Sequence, residues 1–211
     1  MIRISHQPRN NTGLWPDTLL EVALGKNGNK KGARNPVGLS PLDKKNKGLI
    51  RVVIETPKGS RNKYNFNPRE QLFELKKVLP AGMTFPYDFG FVPSTLAEDG
   101  DPVDVLVLMD EPAFAGCVLK ARLIGVIEGE QTGKDGKERN DRLVAVQEDN
   151  HSFASVRTID DLGKEFVREL EDFFVNYHEL SDEKFRVLDV KDTACALEAI
   201  KRGQQAMQKK S

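Results

Sequence analysis

Cysteine is nearly missing: Cys117 and Cys195 are the only two in 211 residues, and no C-x-x-C spacing joins them. That excludes a disulfide framework and a thiolate zinc site, so both read as small buried hydrophobes. Long apolar runs are missing too. No stretch approaches the roughly 18 uninterrupted apolar residues of a membrane span, and the opening MIRISHQPRNNTG lacks the apolar core of a secretory signal. A cytoplasmic protein without membrane contact is expected. Histidine is scarce, and His6, His151 and His178 are scattered, so no Ser-His-acid grouping stands out. The nucleotide fingerprints also fail. No G-x-G-x-x-G occurs, and Gly129-Glu130-Gln131-Thr132-Gly133-Lys134 has three residues between its glycines where the phosphate-binding loop needs four.

What is present is a balanced, globular composition. The chain is 38% hydrophobic and 30% charged, with 32 basic and 32 acidic side chains, which disfavours collagen, coiled coil and wholesale disorder. Its length suits one domain with a core plus a tail. The zero net charge hides an asymmetry. Residues 1–48 carry nine Lys/Arg against three Asp/Glu, so the other 163 residues are net acidic by six. Rich in Asn, Gly and Pro, with one short apolar run near Leu19–Leu24 and no sustained period, this segment cannot offset its ordering entropy by burial. It reads as a basic, flexible N-terminal tail, with the folded domain spanning 49–211. A nucleic-acid arm is disfavoured, because the basic residues lack interleaved aromatics.

From Leu49 on, short apolar runs alternate with turn residues. Segments 49–55, 72–78, 88–92, 103–109, 117–127 and 143–146 read as strands, rich in Val, Ile, Leu and Phe and bounded by Gly, Pro, Asn or Asp. Strands this closely spaced imply a barrel or sandwich. Residues 132–139, centred on Asp135-Gly136, read as a hairpin loop. After Ile159 the period becomes helical: Leu162, Phe166, Leu170, Phe173/Phe174 and Tyr177 recur at three- and four-residue steps, with Asp160 or Asp161 available as N-cap. A second helix is expected over 193–207. Strands first and helices last define an α+β, mainly β, domain.

The chemistry concentrates in Asp99-Gly100-Asp101-Pro102-Val103-Asp104, which runs into the apolar Val105-Leu106-Val107-Leu108. Asp-Gly and Asp-Pro are ordinary turn dipeptides. Asp104, however, interrupts a run that reads as a buried strand, and a buried carboxylate protonates or seeks a cation. Three carboxylates within six residues repel one another unless something positive lies between them. A hard divalent ion such as Mg²⁺ prefers oxygen ligands and keeps waters for chemistry. An EF-hand fails on spacing: counted from Asp99, position 6 is Asp104 where the sharp turn needs Gly.

The hexapeptide resembles the D-x-D-P-x-D signature of the soluble family I inorganic pyrophosphatases. Flanking segments agree in order: Val52-Val53-Ile54-Glu55-Thr56-Pro57, Lys63-Tyr64, Phe85-Pro86 leading to Gly90-Phe91, Gly125-Val126, Leu143-Val144-Ala145-Val146, and Phe173-Phe174 through Tyr177. The similarity covers about residues 49–190. It implies a small five-stranded OB-like barrel with two C-terminal helices packed outside, and Mg²⁺-dependent hydrolysis of inorganic pyrophosphate to two phosphates. By this resemblance Asp99 and Asp104 hold a metal pair that activates water, and Asp101 accepts its proton or orients it. Glu55 matches a carboxylate acting through metal-bound water. Lys63, Lys77, Arg142 and Tyr177 match the groups that clamp substrate phosphate, Lys77 standing where Arg is usual and Arg142 where Lys is usual.

Other positions depart from the pattern. Phe89 stands where a substrate-contacting Tyr is common, and Tyr87, two residues earlier, is the expected replacement donor. Asn65 replaces a frequent Glu, and His178 a frequent Lys. Between Ile127 and Leu143, where the family has two further metal-binding Asp residues, this chain is longer. A gapless match puts Asn140 at the second position and a shift by one puts Asp141 there; the first falls near Glu130 or Gln131. Asp141 and Glu130 are the expected ligands, because an anion is worth more to Mg²⁺ than an amide. The family also implies a homo-oligomer, a hexamer by analogy with bacterial members. Two rivals remain: a non-catalytic relative that binds a phosphorylated ligand, which has no use for a general base at Asp101, and an OB-type nucleic-acid module, which the net acidic domain disfavours.

Overall fold

The computed structural model describes residues 36–210 apart from 44, 47, 134, 135, 181 and 182. The expected flexible tail falls mostly on residues 1–35 and so lies outside the described residues. Its described part is tied down. Arg51 N donates to Pro41 O at 2.7 Å and Ser94 N to Val37 O at 2.8 Å. Asp43, 3% exposed, meets Lys120 Nζ at 2.8 Å. That bond and the Lys45 amide lower its carboxyl to about 2. The described residues from 36 on belong to the same compact unit as the strands.

The elements follow in the order β1 Ile50–Thr56, β2 Asn62–Asn67, β3 Leu72–Val78, β4 Asp88–Phe91, β5 Asp104–Leu108, β6 Val118–Gly133, β7 Gly136–Arg139, β8 Arg142–Gln147, α1 Lys164–Glu179, β9 Lys184–Lys191 and α2 Thr193–Lys210. Five strands pair in the sequence β1-β4-β5-β8-β6, and β6 returns to β1 to close the ring. This is the expected five-stranded barrel. β7 and β9 pair with the far end of the long β6, while β2 and β3 form a separate hairpin.

Ring strands are apolar on both faces because each face is covered. On β5 and β8, Val105, Val107, Leu143 and Ala145 belong to one core cluster with Ala196, Ala199 and Ile200 of α2. The alternate residues Leu106, Leu108, Val144 and Val146 pack with Leu170 and Phe174 of α1. This is the two-residue period of a strand, with a helix against either side. On α1, Leu170, Phe174 and His178 are the buried residues, one every four positions. Each large side chain so buried contributes about 2–3 kcal/mol.

One pairing positions the site. β5 and β8 run parallel in a ring whose other pairs are antiparallel, with Val105 opposite Leu143. Parallel neighbours start at the same end of a sheet. Asp104 and Arg142, the first residues of these strands, therefore emerge side by side.

Several local expectations need correction. Cys195 is exposed and Cys117 half-buried, so neither is a core residue. The carboxylate of Asp161 accepts from the Arg157 and Thr158 amides, both at 2.8 Å, and caps a short 3₁₀ turn, Ile159–Leu162; α1 begins later, after Gly163. The supposed hairpin loop 132–139 is mostly strand, the end of β6 and all of β7. Strands β2 and β9 were not foreseen. Among the described residues no helix is long and apolar enough to cross a membrane.

Candidate active site

A cleft of about 790 Å³ opens where β1, β2, β5 and β8 meet the end of α1. Three of its acids come from the loop before β5 and the first residue of that strand: Asp99, Asp101 and Asp104. The Asp99 carboxylate accepts from the Asp101 amide at 3.0 Å, a local turn bond that folds the loop back on itself. Burial and then the charge of Asp104 push the Asp99 carboxyl up to about 6. Burial raises Asp104 as well, against the pull of Arg142 and Lys63. Asp101 is exposed. Burial is the main cause of both shifts, and a neighbouring carboxylate adds to it at each.

Cations face them over an aromatic floor. Lys63, on β2 and 8% exposed, lies 4.3 Å from the Phe89 ring centroid and 3.5 Å from Glu55 Oε2. Glu55, at the end of β1, also accepts from the Phe66 amide at 2.7 Å; burial raises its carboxyl against Lys63's attraction. Lys77, on β3, sits 3.8 Å from the ring of Tyr177. Arg142 is 4% exposed, between the rings of Phe89, Phe174 and Phe185, and its Nη1 is 2.7 Å from Asp104 Oδ2. Its Nε is buried and donates to nothing among the described residues. Buried donors in folded proteins are rarely left unpaired, so this Nε is an exception within the wall of the cleft.

Glu55, Lys63, Lys77, Asp99, Asp101, Asp104, Arg142 and Tyr177 are therefore brought together as the sequence suggested. Glu130 and Asp141 are not. Glu130 pairs with Lys137 at 3.0 Å and Arg186 at 3.4 Å; Asp141 meets Arg139 Nε at 2.5 Å and accepts from the Gly129 amide at 3.2 Å. The cleft is lined instead by their neighbours Gln131 and Asn140. Asn140 and Asp141 both fall in the turn between β7 and β8, where Asp141 is held by the Arg139 side chain and the Gly129 amide while Asn140 bonds to Arg142. Asn140 Oδ1 accepts from Arg142 Nη1, and Asn140 Nδ2 donates to Gln131 Oε1, so both amide oxygens are already engaged.

Tyr87 is no replacement donor either. It packs against Phe153 and Phe166, with ring centroids at 6.0 and 5.5 Å, and does not line the cleft. The residue before β4 is already outside the strand, so the two-residue rule does not carry Tyr87 to the face of Phe89. Glu138 and Glu183, which line the cleft, went unnoticed in the sequence.

His178 also lines the cleft, 2% exposed and stacked on Phe185 at 4.7 Å. Its Nδ1 is 2.7 Å from Phe174 O, so in the neutral tautomer Nδ1–H donates and Nε2 is left as an acceptor. Burial, then the charge of Arg142, lowers the imidazole to about 4, from an ordinary 6.5. Its stabilising contribution is complete above pH 6.5 and disappears as pH falls towards 4. Between these limits the protein is expected to lose about 3 kcal/mol more than a His178→Gln variant. Urea melts of both proteins across this range check it, and parallel profiles would refute it.

Comparison with known proteins follows this geometry. A family model described as inorganic pyrophosphatase matches residues 52–208. The inorganic pyrophosphatase of Synechocystis sp. is 41% identical over 150 residues, covering 71% of this chain and 86% of that protein. That of Halalkalibacterium halodurans is 36% identical over 152 residues, 72% of this chain and 91% of the other. Among solved structures, the inorganic pyrophosphatase from Thermus thermophilus superposes with a TM-score of 0.75 at 32% identity, covering 82% of this chain and 99% of that one. The corresponding protein from Neisseria gonorrhoeae gives 0.73 at 32% identity, with 81% and 96% covered. The barrel and its cleft are thus those of a hydrolase fold. The chain belongs to the inorganic pyrophosphatase family.

Proposed function

We propose that this protein hydrolyses inorganic pyrophosphate to two phosphates with Mg²⁺ as its cofactor. The observation that carries the reading is the arrangement of one cleft: Asp99, Asp101 and Asp104 face Lys63, Lys77 and Arg142. Among the described residues no three Asp, Glu, His or Cys side chains already enclose a metal ion. The donor chemistry nevertheless fits one. All three aspartates offer hard oxygens to the same space. Asp99, Asp101 and Asp104 would hold the ion. Bound there, it would neutralise phosphate charge and make water more acidic.

The remaining work falls to side chains of this chain. Lys63, Lys77 and Arg142 bind phosphate oxygens, and their preorganised charge is the largest expected catalytic contribution. Glu55, fixed by the Phe66 amide, positions Lys63 rather than touching the reacting atoms. Tyr177 offers its hydroxyl to a phosphate oxygen; burial raises it further, so it stays a donor across the working pH. Asp101 accepts a proton from the attacking water as the new O–P bond forms. The bridging P–O bond breaks and its electron pair leaves with the departing phosphate.

Phosphate release from pyrophosphate is the test: it should require Mg²⁺, stop on chelation, and persist in a chain starting at Asn35. Phosphate binding without turnover would identify the non-catalytic relative instead, and loss of turnover on truncation would assign the tail a part in catalysis.

A further inference from the structure

We propose that Arg142 is an exchangeable internal counter-cation, so that dication and phosphate bind this cleft cooperatively by separating Arg142 from Asp104. The inference rests on the reading of Asp104 as a metal ligand and Arg142 as a phosphate ligand. Parallel pairing of β5 and β8 sets these two residues side by side, and Arg142 Nη1 is 2.7 Å from Asp104 Oδ2. The same Nη1 donates to Asn140 Oδ1, and to Asp141 O at 3.3 Å. Arg142 Nε, in contrast, is buried with no acceptor among the described residues. One end of the guanidinium is therefore committed to the acid wall, and the other waits for a partner.

Each ligand then has an interest in the same bond. A dication that takes Asp104 must displace the guanidinium, and the released guanidinium becomes available in full to phosphate. An arriving phosphate that engages Nε and draws Arg142 across the cleft frees Asp104 for the dication. Linkage makes the effect reciprocal: whatever factor Mg²⁺ adds to phosphate affinity, phosphate adds to Mg²⁺ affinity. Arg142 Nη1 also bonds to Asn140 Oδ1, so moving the guanidinium frees that amide oxygen together with Asp104.

Calorimetric titration with Mg²⁺, alone and with inorganic phosphate present, tests this on the full chain. Phosphate should tighten Mg²⁺ binding in the wild type. Arg142→Gln should tighten Mg²⁺ binding without phosphate by about tenfold and remove most of the enhancement by phosphate. Arg142→Lys, which keeps the charge, should stay near the wild type. Unchanged or weaker Mg²⁺ binding in Arg142→Gln would overturn the proposal, provided that Asp104→Asn abolishes uptake. If Asp104→Asn leaves Mg²⁺ uptake intact, it is the metal reading itself that fails. A measurement on the wild type does not depend on either variant folding: the Nε–H resonance of Arg142, assigned by its absence from Arg142→Lys, should shift on adding Mg²⁺ alone. A stationary resonance at saturating Mg²⁺ would also overturn the proposal.

Discussion

Replacing Asp101 with Asn is expected to lower pyrophosphate turnover by about a thousandfold while the protein folds as before. Amide and carboxylate are nearly isosteric, and Asp101 is exposed at the cleft, so stability should change by no more than about 0.5 kcal/mol. At saturating Mg²⁺, which offsets the weaker hold of an amide on the ion, what is lost is the acceptor for the water proton, a contribution of roughly 10²–10⁴ in rate. Because proton transfer occurs in the transition state, the fall belongs in kcat, with KM nearly unchanged. Steady-state kinetics with a thermal melt on the same sample separates the two effects. Turnover within tenfold of wild type would remove Asp101 from the mechanism.

Gly90→Ala is expected to have the largest effect on stability. Gly90 of β4 pairs with Ile54 of β1 inside the ring. A Cβ at this position would lie 2.0 Å from the Val53 carbonyl oxygen and 2.9 Å from Ile54 Cα. Both obstacles are backbone, so no side-chain rotation relieves them, and the β1–β4 pair must part or shift. The expected cost is about 4 kcal/mol, or a melting point lower by roughly 10 °C for a domain of this size. Gly38→Ala is the control, since nothing lies within 4 Å of its added Cβ. A Gly90→Ala protein melting within 2 °C of wild type, about half a kcal/mol at this size, would contradict the close approach of these strands.

Legibility of the fold followed burial. β1, β5 and β8 are apolar runs because helices or other strands cover both of their faces, and such runs announce themselves without knowledge of their partners. β2, Asn62–Asn67, is mostly polar, β9, Lys184–Lys191, breaks its alternation at Val187-Leu188, and both stand outside the closed ring. Their strand character comes from tertiary pairing with β3 and β6, which local sequence does not encode. Lys63 was therefore recognisable only through family resemblance, not as a strand residue facing the cleft.

In the site, the aspartates of the 99–104 loop were visible because Asp104 breaks an apolar strand. The β6–β8 wall was not, and the cause is phase. Between Ile127 and Leu143 the chain has enough extra length that alignment alone does not fix which residue faces inward, and a slip of one residue inverts the wall. Charge favoured Glu130 and Asp141, whereas the turn between β7 and β8 sets Asn140 at the cleft. The consequence is chemical: this wall offers amides that bond to each other and to Arg142, and the carboxylates beside them pair outward with Lys137, Arg186 and Arg139.

The most direct test of the metal-dependent reading is the anomalous scattering of Mn²⁺, standing in for Mg²⁺, in crystals of the protein. The account predicts a peak coordinated by the carboxylates of Asp99, Asp101 and Asp104, with Arg142 displaced from Asp104. A peak held by Glu130 and Asp141, or no peak in the cleft at saturating Mn²⁺, would contradict it.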